Sequence, residues 1–598
     1  MLNDADHQGP DPDPRSLLIL YATETGTAQD AADRIARNCR RIHFQCRVVN
    51  MDDYPLEELV SEDLIVFVVS TTGTGIEPRS MTPLWTMLLR SDLPTDLFED
   101  MQFAVFGLGD TSYEKFCWPA KKLSRRLESL GAVEICARGE GDEQHDLGID
   151  GALLPWISKL IDALLTIYPL PPGLEIDRPD VLPPARVSLT VVPASALHEA
   201  SDPLQLDDGY HTATLTSNFR ITAEDWWQDV RHFEFDFEDD IKYRPGDVAV
   251  IHPEVSHSDV EKSLVSLGWE AIADEPFQVQ QTLGDQTLPD HLPKVTTLRA
   301  ILIRHINVND VPRRSFFEFL RHFVTDELER EKLDDFLSDE GADDLYDYCH
   351  RVRRTIREVL EEFRSAKIPR EYVFDVFPPM RPREFSIASS VKRHPKKIQL
   401  CVAIVRYKTR LKIPRKGVAT SYLASLRLGD RIRIGLRRGL ISLPSEPHIP
   451  VICVGPGTGV APMRAVIEER IELGSTENTL YFGCRSASKD QHYASEWSGY
   501  VDGQNLRYRS ACSRDGPEGV ARVYVQDLIL RDSKRVWEIL YEREGYLYIS
   551  GSSNKMPAAI RAAVRSIAQV EGGMSGDDVK EFVENLEREG RLVEECWS

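Results

Sequence analysis

No stretch of the sequence is apolar for long enough to cross a bilayer. The longest runs, at 64–69 and 450–454, fall far short of the roughly 20 residues a membrane helix needs and read as buried parallel strands. The opening MLNDADHQGPDPDPRS has neither the basic region nor the apolar stretch of a signal peptide. Acidic and proline-rich, residues 1–15 read as a disordered tail. Cysteine is sparse: ten occur in 598 residues, with no C-x-x-C pair. That pattern argues against a disulfide scaffold and against a cysteine-ligated zinc or iron–sulfur site, and it fits a reducing, cytoplasmic setting. His252 and His257, with Glu254 between them, read as surface residues opening the next helix, so no metal site is expected. Basic charge is in deficit: 72 Lys and Arg against 96 Asp and Glu leave a net charge of −24. This argues against nucleic acid as a partner and against stable membrane association, and leaves room for a face that docks a basic partner.

What is present points to a multidomain α/β protein. A chain of 598 residues exceeds one hydrophobic core, so about three to four domains are expected. Over 16–166, apolar strands (SLLILYA, CRVVNM, LIVFVVS, FAVFGLG) alternate with amphipathic helices near 28–41 and 119–130. That alternation predicts a doubly wound parallel sheet, with ligands at the carboxyl ends of its strands. Residues 167–205 lose periodicity and gain proline, as an inter-domain linker would. Over 206–446, strand-like alternation in HTATLTSNF, VRHFEFDF and GDVAVIHP returns later in REFSIASS, KIQLCVAIVRY and DRIRIGL. Between them lies a helical stretch at about 253–371, so an antiparallel barrel with a helical insertion is expected. Strand–helix alternation resumes over 447–598, implying a second nucleotide-binding sheet.

Three glycine- and hydroxyl-bearing loops follow strands of the first sheet. Thr23-Glu24-Thr25-Gly26-Thr27 opens a helix, where amides and hydroxyls make an anion site. With no lysine and no G-x-x-x-x-G-K, it is not a triphosphate loop and suits a single phosphate such as that of FMN. Ser70-Thr71-Thr72-Gly73-Thr74-Gly75 and Gly107-Leu108-Gly109-Asp110-Thr111-Ser112-Tyr113 follow. Their glycines let backbone approach a planar ring, and Tyr113 offers a stacking face. In the barrel segment, Arg383 can neutralise a pyrophosphate. Phe385, two residues along a strand, shares its face and can stack on a ring, with Ser386 alongside. Gly417-Val418-Ala419-Thr420 opens a helix whose amides can cradle a pyrophosphate. In VICVGPGTGVAPMR, Gly455, Gly457 and Gly459 form a dinucleotide-type turn. Ser513-Arg514 and Arg522-Val523-Tyr524 suit the 2′-phosphate of NADP.

Taken together, TETGT, STTGTG, GLGDTSYEKF, RPREFS, GVAT and ACSR…ARVYVQD resemble the diflavin reductases, and the resemblance covers 16–598. It implies a flavodoxin-like FMN domain, an FAD-binding antiparallel barrel with a helical insertion, and a ferredoxin-reductase-type NADP domain. Electrons are then expected to pass from NADPH to FAD to FMN and on to another protein. The resemblance implies FMN contacts from Thr23, Glu24, Thr25, Gly26, Thr27, Ser70, Thr71, Thr72, Gly73, Gly107, Leu108, Gly109, Tyr113 and Asp142. For FAD it implies Arg383, Phe385, Ser386, Gly417, Val418, Ala419, Thr420 and Trp597. For NADPH it implies Gly457, Thr458, Arg485, Ser513, Arg514, Arg522, Tyr524 and Gln526. Hydride transfer falls to Ser386, Ser550, Glu595 and Trp597, where Ser550 and Glu595 replace a cysteine and an aspartate of microsomal members. Phe385 replaces the family's tyrosine, and Thr72 a second aromatic. Phe385 and GDEQHDLG look most like the subgroup serving cytosolic iron–sulfur assembly, whose partner is an anamorsin-type iron–sulfur protein. The alternatives are a soluble reductase for a haem protein, sulfite reductase or methionine synthase, and a non-enzymatic scaffold in cell-death signalling.

Overall fold

A computed structural model describes residues 15–597 apart from 74, 114, 284–285, 410–411, 518–520 and 554, with Trp597 described for its backbone alone. Most of the expected tail therefore lies outside the described residues. The chain forms two compact units, one holding residues up to 200 together with 260–379, the other holding 201–259 with 380–598.

In the first unit, β1 (Ser16–Ala22), β2 (Gln45–Asn50), β3 (Leu64–Ser70), β4 (Gln102–Gly109) and β5 (Val133–Asp142) form a parallel sheet in the order β2-β1-β3-β4-β5. Alternate residues of β1 explain why its whole run is apolar. Leu17, Ile19 and Tyr21 pack on one face with α1 (Thr27–Arg41), while Leu18, Leu20 and Ala22 pack on the other. The helices Thr82–Leu88 and Trp118–Ser129 cover that second face, and Asp150–Ile167 joins α1 on the first, so the sheet is doubly wound as expected.

The expected linker at 167–205 is corrected in part. Val187–Val191 is a strand paired antiparallel with Phe277–Gln281, which also pairs with Val295–Thr296. Arg186 beside it is buried and charge-paired. Its Nε donates to Asp375 Oδ1 at 3.0 Å, and its Nη2 lies 3.6 Å from Asp33. Proline richness loosened the local pattern, but these long-range partners order the segment. The helical insertion ends later than the expected 371: its helices run from His257–Leu267 to Val373–Val376. From residue 260 to 379 it belongs to the same compact unit as the first sheet.

In the second unit, six antiparallel strands run in the order Arg383–Ser386, Val248–Ile251, Arg431–Arg437, Tyr210–Arg220, Val230–Phe237 and Lys397–Ala403. A bridge between Ile387 and Leu400 closes them into a barrel. His252 is held inside this unit by Tyr210, whose hydroxyl lies 3.0 Å from its Nε2. The second parallel sheet runs Arg507–Cys512, Asn478–Cys484, Val451–Val454, Tyr546–Ser552, Leu592–Trp597. A buried charge network ties barrel to sheet. Arg464, on helix Val460–Glu472, reaches Glu468 at 2.8 Å and Glu496 at 3.0 Å, and donates to Gln399 Oε1 and the Ala388 carbonyl of the barrel. Ser390 of the barrel donates its backbone N–H to Glu468 and its hydroxyl to Glu469.

Candidate functional site

The three loops of the flavodoxin sheet meet at one edge. They leave β1, β3 and β4, which are neighbours in the sheet, with Ala22 beside Val69 and Val69 beside Gly107. Gly26 caps α1 in the left-handed region (φ 92°), and no side chain caps the helix. A glycine satisfies that backbone and leaves the first-turn amides open to an anion. Thr23 Oγ1 accepts from Gly26 N–H, and Thr25 and Thr27 lie with their hydroxyls 3.3 Å apart. Glu24 accepts from the Arg79 backbone N–H, and so ties the phosphate loop to the segment after the second loop. In the second loop Ser70 donates to the Ala22 carbonyl, Thr72 Oγ1 donates back to the carbonyls of Ile76 and Glu77, and Gly73 faces open space. The Thr71 hydroxyl is buried with no hydrogen-bond partner in the protein, the kind of donor a bound ring edge would satisfy. Gly107 and Gly109 are also required by packing within the protein. A Cβ at Gly107 would meet Ala120 at 2.6 Å, and one at Gly109 would meet the Cys117 backbone at 2.9 Å. Both keep space for the chain that follows. Leu108 sits in the core, and Tyr113 is half-buried at the loop end. Asp142, expected to touch the flavin, directs its carboxylate to Thr111 N–H, Thr111 Oγ1 and Gln144 N–H. Burial pushes its pKa up, but these hydrogen bonds outweigh it and hold the carboxyl below its ordinary value. It braces the third loop.

In the second unit, Arg383 and Phe385 lie on the barrel strand beside Val248–Ile251, with Phe385 packed partly on the barrel core. Gly417 caps helix Val418–Ser425 with no side-chain cap, and a Cβ there would meet Thr420 Oγ1 at 2.8 Å. Thr420 Oγ1 instead accepts from Val405 N–H, and Ala419 is buried. The first amides of that helix thus stay open to a pyrophosphate. Ser386 Oγ donates to Glu595 Oε1 at 2.7 Å, joining the FAD strand to the last strand of the nucleotide sheet. Glu595 is the register partner of Ser550. The Ser550 hydroxyl is fully buried with no partner in the protein. The sequence-predicted trio of Ser386, Ser550 and Glu595 therefore comes together. The backbone of Trp597 pairs with Ser552, while its side chain lies outside the described residues. Glu595→Gln keeps an acceptor for Ser386 but exchanges a charge-assisted bond for a neutral one. Flavin reduction by NADPH, followed in stopped flow, is expected to slow about fivefold. An unchanged rate would detach Glu595 from hydride transfer.

The nucleotide turn is packed tightly: a Cβ at Gly459 would meet the Ser550 carbonyl at 2.2 Å, and Gly457 has φ 58°. Thr458 lies in the same turn. Two adjacent strand ends carry the phosphate candidates. Ser513 N–H and Oγ both donate to the Cys484 carbonyl, and Arg514 N–H donates to Arg485 O at 2.8 Å. Burial, and next the Arg514 guanidinium, push the Arg485 pKa down. Arg522 is exposed, Tyr524 takes Asp527 onto its N–H, and Gln526 lies in the helix that follows. Sequence reading missed Trp227. Its ring lies 4.5 Å from the Arg485 guanidinium carbon although the residue is 60% exposed. Its loop is pinned by Arg220, which donates to the carbonyls of Trp226 and Gln228, and by Ala223 N–H to the Lys489 carbonyl. Paired tryptophans outside any periodic pattern were the available signal. An exposed cation–π contact is worth about 0.5–1 kcal/mol. Trp227→Ala is therefore expected to raise the KM for NADPH about two- to fivefold, and steady-state kinetics with no change would separate Trp227 from the site.

These modules match known families. Residues 19–156 match the flavodoxin family, 207–422 the FAD binding domain and 453–562 the oxidoreductase NAD-binding domain. Two flavin modules joined to a pyridine-nucleotide module define a diflavin oxidoreductase. Proteins named NADPH-dependent diflavin oxidoreductase 1 are similar over their full length. The one from Cryptococcus neoformans var. neoformans serotype D is 42% identical over 620 residues, covering 97% of this chain and 100% of its own. That of Danio rerio is 40% identical over 602 residues (98% and 99%), and that of Schizosaccharomyces pombe 38% over 587 (97% and 99%). The chain belongs to the NADPH-dependent diflavin oxidoreductases, with FMN, FAD and NADPH as its cofactors.

Proposed function

We propose that this enzyme delivers electrons from NADPH, by way of FAD and FMN, to an anamorsin-type iron–sulfur protein in cytosolic iron–sulfur cluster assembly. The bound nicotinamide and flavins supply the redox chemistry, a two-electron hydride entering and its electrons leaving singly. The protein's own part is positioning. Arg485 and Arg514 would hold the 2′-phosphate, Gly459 lets the nucleotide turn lie against Ser550, and Glu595 fixes the Ser386 hydroxyl where the FAD strand meets the nucleotide sheet. The single observation that carries the enzymatic reading is the Ser386–Glu595 bond, which brings the FAD strand to the nucleotide sheet.

For the acceptor, the support is electrostatic. Asp52, Asp53, Glu57, Glu58, Asp63, Glu143 and Asp146 are exposed on the flavodoxin domain. Glu62 is taken up by Arg47 and Tyr54, and Asp142 by its own loop. Exposed acidic groups steer a partner with a basic patch, and salt screens them. Among the described residues no helix is long and apolar enough to cross a membrane, which suits a cytoplasmic acceptor. Stopped-flow reduction of an anamorsin-type protein is expected to be faster than that of a haem acceptor and to slow as ionic strength rises. Faster haem reduction would overturn the partner, and salt independence would overturn the docking mode.

A further inference from the structure

Cys484 ends the strand Asn478–Cys484 and Cys512 ends Arg507–Cys512. The two are register partners, and their sulfurs lie 3.5 Å apart. Neighbouring strands run about 4.8 Å apart, inside the range of roughly 4.4–6.8 Å between Cα atoms that a disulfide spans. All ten cysteines are free thiols; eight are buried, and only Cys512 and Cys596 are half-exposed. The register partner of Cys596 is Gly551, which offers no second sulfur. The other interacting pair, Cys39 and Cys46, is sealed in the flavodoxin core at 0% and 1% exposure. Cys484 and Cys512 thus combine adjacency with access at Cys512.

Their place in the chain gives the pair a consequence. Arg485 follows Cys484 directly, and Ser513 and Arg514 follow Cys512. Ser513 donates to the Cys484 backbone carbonyl, and Arg514 N–H to the Arg485 carbonyl, so the backbone pairing that carries both arginines runs on directly from the two cysteines. A change in the spacing of the cysteines is therefore passed to the backbone that carries both guanidiniums.

We propose that Cys484 and Cys512 are a site of reversible oxidative modification, forming a disulfide with peroxide and thereby weakening NADPH binding next to it. The inference rests on the reading of Arg485 and Arg514 as the 2′-phosphate site. Cys512, the more exposed thiol, takes one oxygen from hydrogen peroxide to become a sulfenic acid, and one water leaves. The Cys484 sulfur then attacks the Cys512 sulfur, forming the S–S bond. The sulfenic hydroxyl leaves with the Cys484 proton as a second water. Two thiols lose two electrons and two protons, and peroxide is reduced to two waters. Burial, and next the hydrogen bond with Cys512, push the Cys484 thiol pKa up, which disfavours it for first capture of the oxidant; its part in the second step rests on its sulfur already lying 3.5 Å from that of Cys512. Closing the sulfurs from contact to a bond of about 2.05 Å draws the two strand ends together and changes the spacing of the arginines beyond them.

The test treats the holoenzyme with hydrogen peroxide, blocks residual thiols, maps the cross-link by peptide mass and measures NADPH kinetics. A Cys484–Cys512 peptide lighter by two hydrogens is expected. With it the KM for NADPH should rise about tenfold, the weakening that follows when one charge-assisted contact loses its geometry. Dithiothreitol should restore the KM, bound NADP⁺ should slow the cross-linking, and Cys512→Ser should be immune. Absence of the cross-link after peroxide overturns the proposal. So does a cross-link with unchanged KM, or the same KM rise in Cys512→Ser. Arg514→Ala in reduced enzyme tests the phosphate site separately: an unchanged KM there overturns that reading while leaving the disulfide result in place.

Discussion

Arg514→Ala is expected to raise the KM for NADPH by about 10- to 150-fold and to leave NADH kinetics nearly unchanged. Arg514 and Arg485 stand on adjacent strand ends, backbone to backbone, with Arg485 depressed by burial and by its neighbour's charge. Two guanidinium side chains carried on adjacent strand ends suit an anion. A charge-assisted contact is worth about 1.5–3 kcal/mol, which sets the range of the effect. NADH lacks the 2′-phosphate and serves as the internal control. Steady-state kinetics with both coenzymes decide the matter, and equal losses would show that Arg514 supports the fold of the turn rather than reading the phosphate.

Arg464→Ala is expected to cost about 3–5 kcal/mol in the stability of the second unit, the penalty of leaving a buried ion-pair partner alone. Arg464 is 5% exposed and Glu468 fully buried, so water cannot replace the lost guanidinium. Glu496, Gln399 and the Ala388 carbonyl lose a donor at the same time. Urea unfolding followed by release of FAD should report the loss. Adding Glu468→Gln should recover part of it, because the stranded charge is gone; no recovery would assign the cost to packing instead. The network also predicts acid sensitivity. Burial pushes the Glu468 carboxyl up, but hydrogen bonding from His394, the Arg464 charge and the Ser390 N–H outweigh it and hold the pKa below its ordinary 4.5. A carboxyl depressed in the folded state contributes stability that is complete above its unfolded pKa and is lost as pH falls through the folded value. The second unit should therefore weaken below about pH 4.5.

The flavin loops were legible because each joins an apolar run to glycines and hydroxyls, and parallel strands place such loops at one edge. The meeting of Ser386, Ser550 and Glu595 could be expected from resemblance alone, since they lie far apart in the chain. Other features were hidden for physical reasons. In VAPMRAVIEER, nothing local marks Arg464, Glu468, Glu469 and Arg470 as interior, yet all four are buried; charge satisfied by distant partners leaves no local trace. The strand Val187–Val191 is short and flanked by prolines, and its partner Phe277–Gln281 lies in the helical insertion. Trp227 belongs to no periodic element, so only contact with Arg485 distinguishes it. Glycines 107 and 109 were read as ring approaches, and close packing of the following helix and loop adds a requirement for glycine that the sequence does not display.

Ile251 and Arg383 are adjacent in the barrel, yet the entire helical insertion runs between them. The barrel can close only after the chain has made this excursion and returned, so its last strand pairing pays a loop-closure entropy. That cost rises only with the logarithm of length, about 0.6 kcal/mol for each doubling. Residues added to or removed from surface turns of the excursion should thus alter barrel stability little, while slowing or speeding its closure. The FAD-binding half is in this sense indifferent to how long its guest segment grows, provided the two ends still come home to neighbouring strands.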